Sequence, residues 1–184
     1  MSTQTESLPF AGPFQADPVH SSFGFAVRHM GVSAFRGTMN EVEASVRPAD
    51  GGLLVDGVAR VESISVQNPP ELRGHLLAPD FFDVENHPEI RFRSSDVQLA
   101  EDGSATLQGE LTIRGVTNPV TATGTWVAPR QTPGGLRGAL ELETTIDRRR
   151  FGLDWQMEAP DGGLALDWDV TITAHLELVA EEDD

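Results

Sequence analysis

LQGELTIRGVTNPVTATGTW, running from Leu107 to Trp126, alternates strictly along its first half. Leu107, Gly109, Leu111 and Ile113 share one side, and Gln108, Glu110, Thr112 and Arg114 share the other. A period of two marks a strand with one buried and one wet face. Gly115 to Pro119 reads as the turn, with a glycine for unusual dihedrals and an Asn-Pro step that resists helix. Beyond it, Val120, Ala122, Gly124 and Trp126 lie on one side and threonines on the other. The hairpin thus carries one continuous apolar face. That face closes either on a packed core or on a ligand.

The neighbouring segments repeat the pattern. Upstream, Glu89 to Leu99 sets Ile90, Phe92 and Ser94 against Arg91 and Arg93. Downstream, Leu136 to Ile146 sets Leu136, Gly138, Leu140 and Leu142 against Arg137, Glu141 and Glu143. The last strand, Leu164 to Leu178, puts Trp168, Val170, Ile172 and Leu176 on one face and Asp169, Thr171 and His175 on the other. It spans roughly 50 Å at ~3.3 Å per residue, and a strand that long bends around a closed sheet. Nearer the N-terminus, Val19 to Met30 carries Phe23, Phe25, Val27 and His29 on one face. Phe35 to Pro48 changes parity near Asn40 and Glu41, as a bulge does. Leu53 to Val66 is apolar on both parities, so its facing stays open. Asn68-Pro69-Pro70 breaks the sheet, Leu72 to Leu77 supplies a turn or two of helix, and Asp147 to Gly163 is irregular.

About eight alternating strands with almost no helix fit a sandwich or an antiparallel barrel. The barrel is favoured, because closure removes exposed edges. The expected organisation is a flexible arm over 1–15, one barrel domain over 16–179 and an acidic tail over 180–184. Phe10 and Phe14 could tuck into a groove, but the arm reads as frayed.

A chain of 184 residues buries roughly 70% of its unfolded surface as one domain. The absence of Cys excludes disulfides, thiolate zinc sites and Cys nucleophiles. A net charge of −16 argues against nucleic acid and against docking on an anionic membrane. All 13 basic residues are Arg. The first residues show no basic segment followed by an apolar one, and no run approaches spanning length. The expectation is a cytoplasmic protein with no stable membrane insertion.

An eight-stranded barrel is wide enough either to fill with side chains or to hold one small molecule. Small inward residues between large ones, such as Gly109 beside Leu111 and Gly124 beside Trp126, leave both readings open. No nucleophile elbow, His-Glu-x-x-His helix, phosphate loop or dinucleotide fingerprint is present, and no metal site is expected. His29 sits near a strand end, where it either caps a polar end or bonds to a carbonyl. His75 and Asp80 flank a helix end, as a capping pair or a catalytic one. Arg148-Arg149-Arg150 is the one basic run. It either pairs with Asp147 or Asp154, or meets an anionic head group such as a pyrophosphate.

LQGELTIRGVTNPVT (Leu107 to Thr121) and GHLLAPDFFDVENHPEIRFRS (Gly74 to Ser94) closely resemble signatures of the YceI-like family. FGFAVRHMGVSAFRGTM keeps that family's spacing of Phe25, Val27, His29, Gly31 and Gly37, and DRRRFGL (Asp147 to Leu153) resembles its late loop. The resemblance covers about Asp17 to Leu178. It implies a lipocalin-like antiparallel barrel of eight strands with a short helix laid against it. It also implies an elongated tunnel taking a polyisoprenoid, an isoprenoid quinone or a similar fatty lipid, without catalysis and without any other cofactor. Members are often periplasmic, and dimers occur among them. LLAPDFFD departs from the small polar residue common ahead of that Asp.

On that expectation the candidate ligand-binding side chains are Phe23, Phe25, Val27, His29, Phe92, Leu111, Ile113, Trp126, Leu140, Trp168, Val170 and Ile172. Phe151 and Trp155, with Leu153 and Met157, would stand at the mouth. Each reads equally as ordinary core. Two other functions remain: a small hydrolase or isomerase working through His29 or His75, and a filled barrel serving as an interaction scaffold.

Overall fold

The computed structural model describes residues 8–182. Its strands are β1 (Phe14–Ala16), β2 (Ser22–His29), β3 (Ser33–Met39), β4 (Val42–Ala49), β5 (Gly52–Arg60), β6 (Glu89–Leu99), β7 (Ser104–Ile113), β8 (Val116–Thr132), β9 (Gly135–Asp147) and β10 (Leu166–Ala180). One helix, α1 (Pro70–Leu77), stands between β5 and β6. No helix among the described residues is long and apolar enough to cross a membrane.

The sheet pairing breaks at Asn40-Glu41, where the parity of the inward face switches: Phe35, Gly37 and Met39 before it, Val42, Ala44 and Val46 after it. β3 pairs with β2, whereas β4 pairs with β5. Taken as the halves of one bent strand, β3 and β4 complete an eight-stranded antiparallel barrel. β10 closes it by pairing with both β9 and β2. The bend opens a gap between β4 and β10, and β1 fills it, with Phe14 opposite Val46 on one side and Ala180 on the other. The strand count favours a barrel, and the family resemblance implies this all-β, lipocalin-like barrel with a single short helix.

Two boundaries depart from expectation. Ile113 pairs with Val116, so the decisive hairpin turns through only Arg114 and Gly115. Both have positive φ, 51° and 72°, the dihedrals of the tight turn whose twist suits a hairpin. Asn118 and Pro119 lie within β8, opposite Leu111 and Glu110; a step that resists helix is compatible with extended backbone.

The second departure is the arm. Phe10 is fully buried and Phe14 nearly so. Their rings meet edge to face with centroids 5.0 Å apart, and Phe10 also approaches Trp126 at 6.4 Å. Glu181 N–H donates to the Pro13 carbonyl at 3.0 Å. A loose arm through Gln15 is therefore wrong for residues 10–15: Phe10 and Phe14 are buried at the floor of the barrel, and Phe14 and Gln15 pair with β4 and β10. Residues 1–7 and 183–184 of the expected arm and tail lie outside the described residues.

The core divides along the barrel axis. Met39, Val61, Ile64, Phe81 and Phe151 anchor the end covered by α1. Phe10, Phe14, Val46, Leu107, Leu140 and Leu178 fill the other end.

Candidate functional site

Between these two packed ends the barrel is hollow. A cavity of about 420 Å³ occupies the α1 end, and a smaller one of about 90 Å³ lies below it. Side chains therefore leave open space in the interior at this end of the barrel.

Most of the larger cavity is built by β2, β3, β10 and α1, with Ile90 of β6, Ile113 of β7 and Ile146 of β9 completing its wall. β2 contributes Phe23, Phe25, Val27 and His29, all of one parity, and β10 contributes Val170 and Ile172. β3 adds Phe35 and Met39 from the facing side of the same hairpin. α1 lays Leu72 and Leu76, one turn apart, over the opening, with Phe81 and Phe82 following. Pro70 suits the first turn of that helix, where its missing N–H costs nothing. The segment after β9 adds Leu153, Trp155 and Met157. His29, Ser33 and Met157 are cavity residues that are also solvent-exposed, which marks the open end.

The hairpin that decides the fold also holds these covers in place. Arg114 in its turn donates to the Pro79 carbonyl at 2.5 Å and to the Gly152 carbonyl at 2.9 Å. Asn118 donates to the Arg150 carbonyl at 2.8 Å. One turn thus ties both the segment after α1 and the segment after β9 to the sheet.

The three arginines separate in role. Arg148 is 2% exposed and lines the cavity. Its guanidinium donates to four backbone carbonyls: Asp167 at 2.9 Å, Leu153 at 2.6 Å, Trp155 at 2.8 Å and Leu166 at 3.1 Å. It stacks over Trp168 at 4.4 Å from the ring centroid. Burial pulls its pKa below the usual guanidinium value, opposed by the neighbouring Asp147. Arg149 forks onto Asp147, whose carboxyl it lowers, and Arg150 reaches Asn118 from an exposed position. Neither Arg149 nor Arg150 lines the cavity.

Ten of the fourteen side chains nominated from sequence line one cavity or the other: Phe23, Phe25, Val27, His29, Ile113, Trp155, Val170 and Ile172 the larger, Phe92 and Leu111 the smaller, with Phe23 and Ile172 lining both. Four do not. Leu140 and Trp126 face inward but pack at the floor with Phe10, and Trp126 donates its ring N–H to the Ala100 carbonyl at 2.8 Å. Parity says inward or outward; it does not say how far down. Phe151 is buried in the wall behind the cavity. Trp168 lies in a bulge, where β10 takes the four steps from Leu166 to Val170 while β2 takes the two from His29 to Val27. That extra length turns its ring onto Arg148 and Arg149.

Sequence reasoning missed Met39, Leu72, Leu76, Phe81 and Phe82 as cavity residues. The i, i+4 leucines of α1 were the available signal. Small inward residues serve close packing: a Cβ at Gly37 would stand 2.5 Å from Phe25, one at Gly109 would stand 2.7 Å from Phe92, and one at Gly124 would overlap the Glu141 carbonyl. His75 pairs with Asp80 at 3.3 Å and lies edge-on to Trp155, centroids 4.8 Å apart, as a fixed part of the cavity wall.

The barrel recurs in known proteins. The chain matches the YceI-like domain over residues 14–178. A UPF0312 protein of Pseudomonas putida is 30% identical over 141 residues, covering 73% of this chain and 71% of its own. A UPF0312 protein of Vibrio cholerae is 28% identical over 156 residues, covering 80% and 82%. Among solved structures, BcnA of Burkholderia cenocepacia superimposes with a TM-score of 0.70 at 20% identity, covering 88% of this chain and 98% of its own. A polyisoprenoid-binding domain from Saccharophagus degradans, implicated in plant cell wall breakdown, superimposes at 0.62 with 11% identity, covering 92% and 99%. With nearly the whole barrel matched, the chain belongs to the YceI-like family.

Proposed function

We propose that this barrel binds a long apolar lipid in its interior, an isoprenoid such as a quinone or prenyl alcohol, and holds it without chemical change. The observation that carries the reading is the cavity of about 420 Å³, walled almost wholly by hydrocarbon. Small-molecule sites run from ~300 to 1,000 Å³. About fifteen buried methylene-sized groups at ~0.8 kcal/mol each give about 12 kcal/mol. Association takes back ~4 kcal/mol or more, which leaves at most about 8 kcal/mol of net binding, a micromolar ceiling. A chain of that size therefore needs no dedicated hydrogen bond. His29 and Ser33 at the open end leave its head group beside water. The shared fold of the Saccharophagus degradans polyisoprenoid-binding domain supports the ligand class.

Native mass spectrometry of protein purified without detergent tests this directly. The expected result is an added mass that extracts as an isoprenoid, and saturable uptake of a long-chain quinone by the stripped protein. A bare mass together with no uptake overturns the proposal.

A further inference from the structure

We infer that Phe23, Ile90 and Ile172 form an internal neck that sets how long a hydrocarbon chain the barrel accepts; this rests on the lipid-binding reading above. Among the residues lining the two cavities, these three alone border both. They come from β2, β6 and β10. In the closed order, β6 stands four strands from β10 in either direction, with β3 and β4 counted as one. Ile90 therefore faces Ile172 across the full width of the barrel. Phe23 stands next to Ile172 on the neighbouring strand, since Ile172 pairs with Phe25 and Ala174 with Phe23. An eight-stranded barrel is only about wide enough for side chains to meet across it, so one ring and two branched chains suffice to pinch it.

Beneath the neck the space is small and walled almost wholly by hydrocarbon. The smaller cavity is bordered by Ala44, Val55, Ala122, Leu142 and Leu176, which belong to the same packed cluster as the fully buried Phe10, Leu107, Leu140 and Leu178. A volume of about 90 Å³ holds only about three groups the size of a water, at ~30 Å³ each. Ile90 and Ile172 are nearly fully buried, while Phe23 keeps some exposure and is the side chain with room to turn. Short chains fill the upper cavity with the neck shut. Longer ones gain nothing more unless Phe23 swings aside, and then only those few groups.

The test is a series of linear saturated alcohols from decanol to eicosanol, one head group throughout, bound to the stripped full-length protein and followed by calorimetry. For the native sequence, affinity rises about four-fold per added methylene and then levels off at a definite length. Phe23→Ala joins the cavities and moves the plateau to longer chains. Phe23→Leu, a milder change that keeps the core apolar, moves it in the same direction by less. Adding Ala174→Leu to either variant fills the lower cavity and restores the native plateau, because Ala174 borders only that space. A plateau that stays put in a folded Phe23→Leu protein overturns the neck. Absence of saturable binding by the native protein instead strikes at lipid binding itself.

Discussion

Phe10 rests on Gly138: a Cβ at that glycine would stand 2.8 Å from the Phe10 ring and 3.0 Å from the Val127 carbonyl. The floor of the barrel is thus made jointly by a residue before the first strand and a missing side chain in β9. Gly138→Ala must push the ring aside, at a cost of about 1–3 kcal/mol. Phe10→Ala leaves a void where nothing else reaches, at about 3–5 kcal/mol. Urea unfolding measures both. The double variant should be less damaged than the sum, because a methyl group on β9 is tolerated once the ring is gone. Simple additivity would show that the two residues do not act on each other.

Arg114 couples the covers of the cavity to the hairpin turn through Pro79 and Gly152. Arg114→Ala frees both segments at once, with a stability loss of about 1–3 kcal/mol for two charge-assisted bonds at a partly wet site. The sharper expectation concerns motion. Amide exchange should quicken in residues 78–84 and in 150–157 together, while the strands keep their protection. Faster exchange in only one of the two segments would mean that Arg114 does not link them.

If the Arg148 guanidinium is removed, the Leu166 carbonyl keeps a bond from Gln156 at 2.6 Å, while those of Leu153, Trp155 and Asp167 have no other side-chain donor among the described residues. Arg148→Met keeps the bulk but orphans them, and Arg148→Lys offers a point charge where a planar fork is required. Both should destabilise by about 2–4 kcal/mol, read as a lowered midpoint in denaturant. Trp168 gives a second readout: its stacking at 4.4 Å is lost, so its emission should shift even where the melting change is small.

The fold was legible because period two survives in almost every strand; the parity switch near Asn40 and Glu41, read as a bulge, marks the break between β3 and β4. The cavity wall on β2 was legible for the same reason: Phe23, Phe25, Val27 and His29 keep one face. What parity cannot give is depth. Leu111 and Leu140 share one pattern, yet the first borders the smaller cavity and the second is packed into the floor. Nor can local pattern reveal partners far along the chain. Phe10 looks like part of a polar arm until β9 and Trp126 are folded beside it, and Trp168 looks inward until the bulge is counted.

Asp17 provides an acid-sensitive tie at the floor. Arg137 donates to Asp17 at 2.8 Å and to Glu177 at 2.6 Å, joining β9, β10 and the segment after β1. The Arg137 bond, with help from the Val19 N–H, holds the Asp17 carboxyl down at about 2, from an ordinary value of 3.8. A carboxyl whose folded pKa is depressed stabilises above its unfolded pKa and loses that contribution as pH falls toward the folded one. The native protein should therefore melt higher than Asp17→Asn at neutral pH. The gap should narrow as pH drops from about 4 to about 2, while remaining flat from neutrality down to about pH 5. Because the pair is partly exposed, added salt should also shrink the gap somewhat at pH 7. Melting curves for the two proteins across that range, at low and high salt, test the assignment. A gap that does not respond to acid would show that the substituted amide replaces the Asp17 carboxylate as a plain hydrogen-bond acceptor, and that charge contributes nothing at this site.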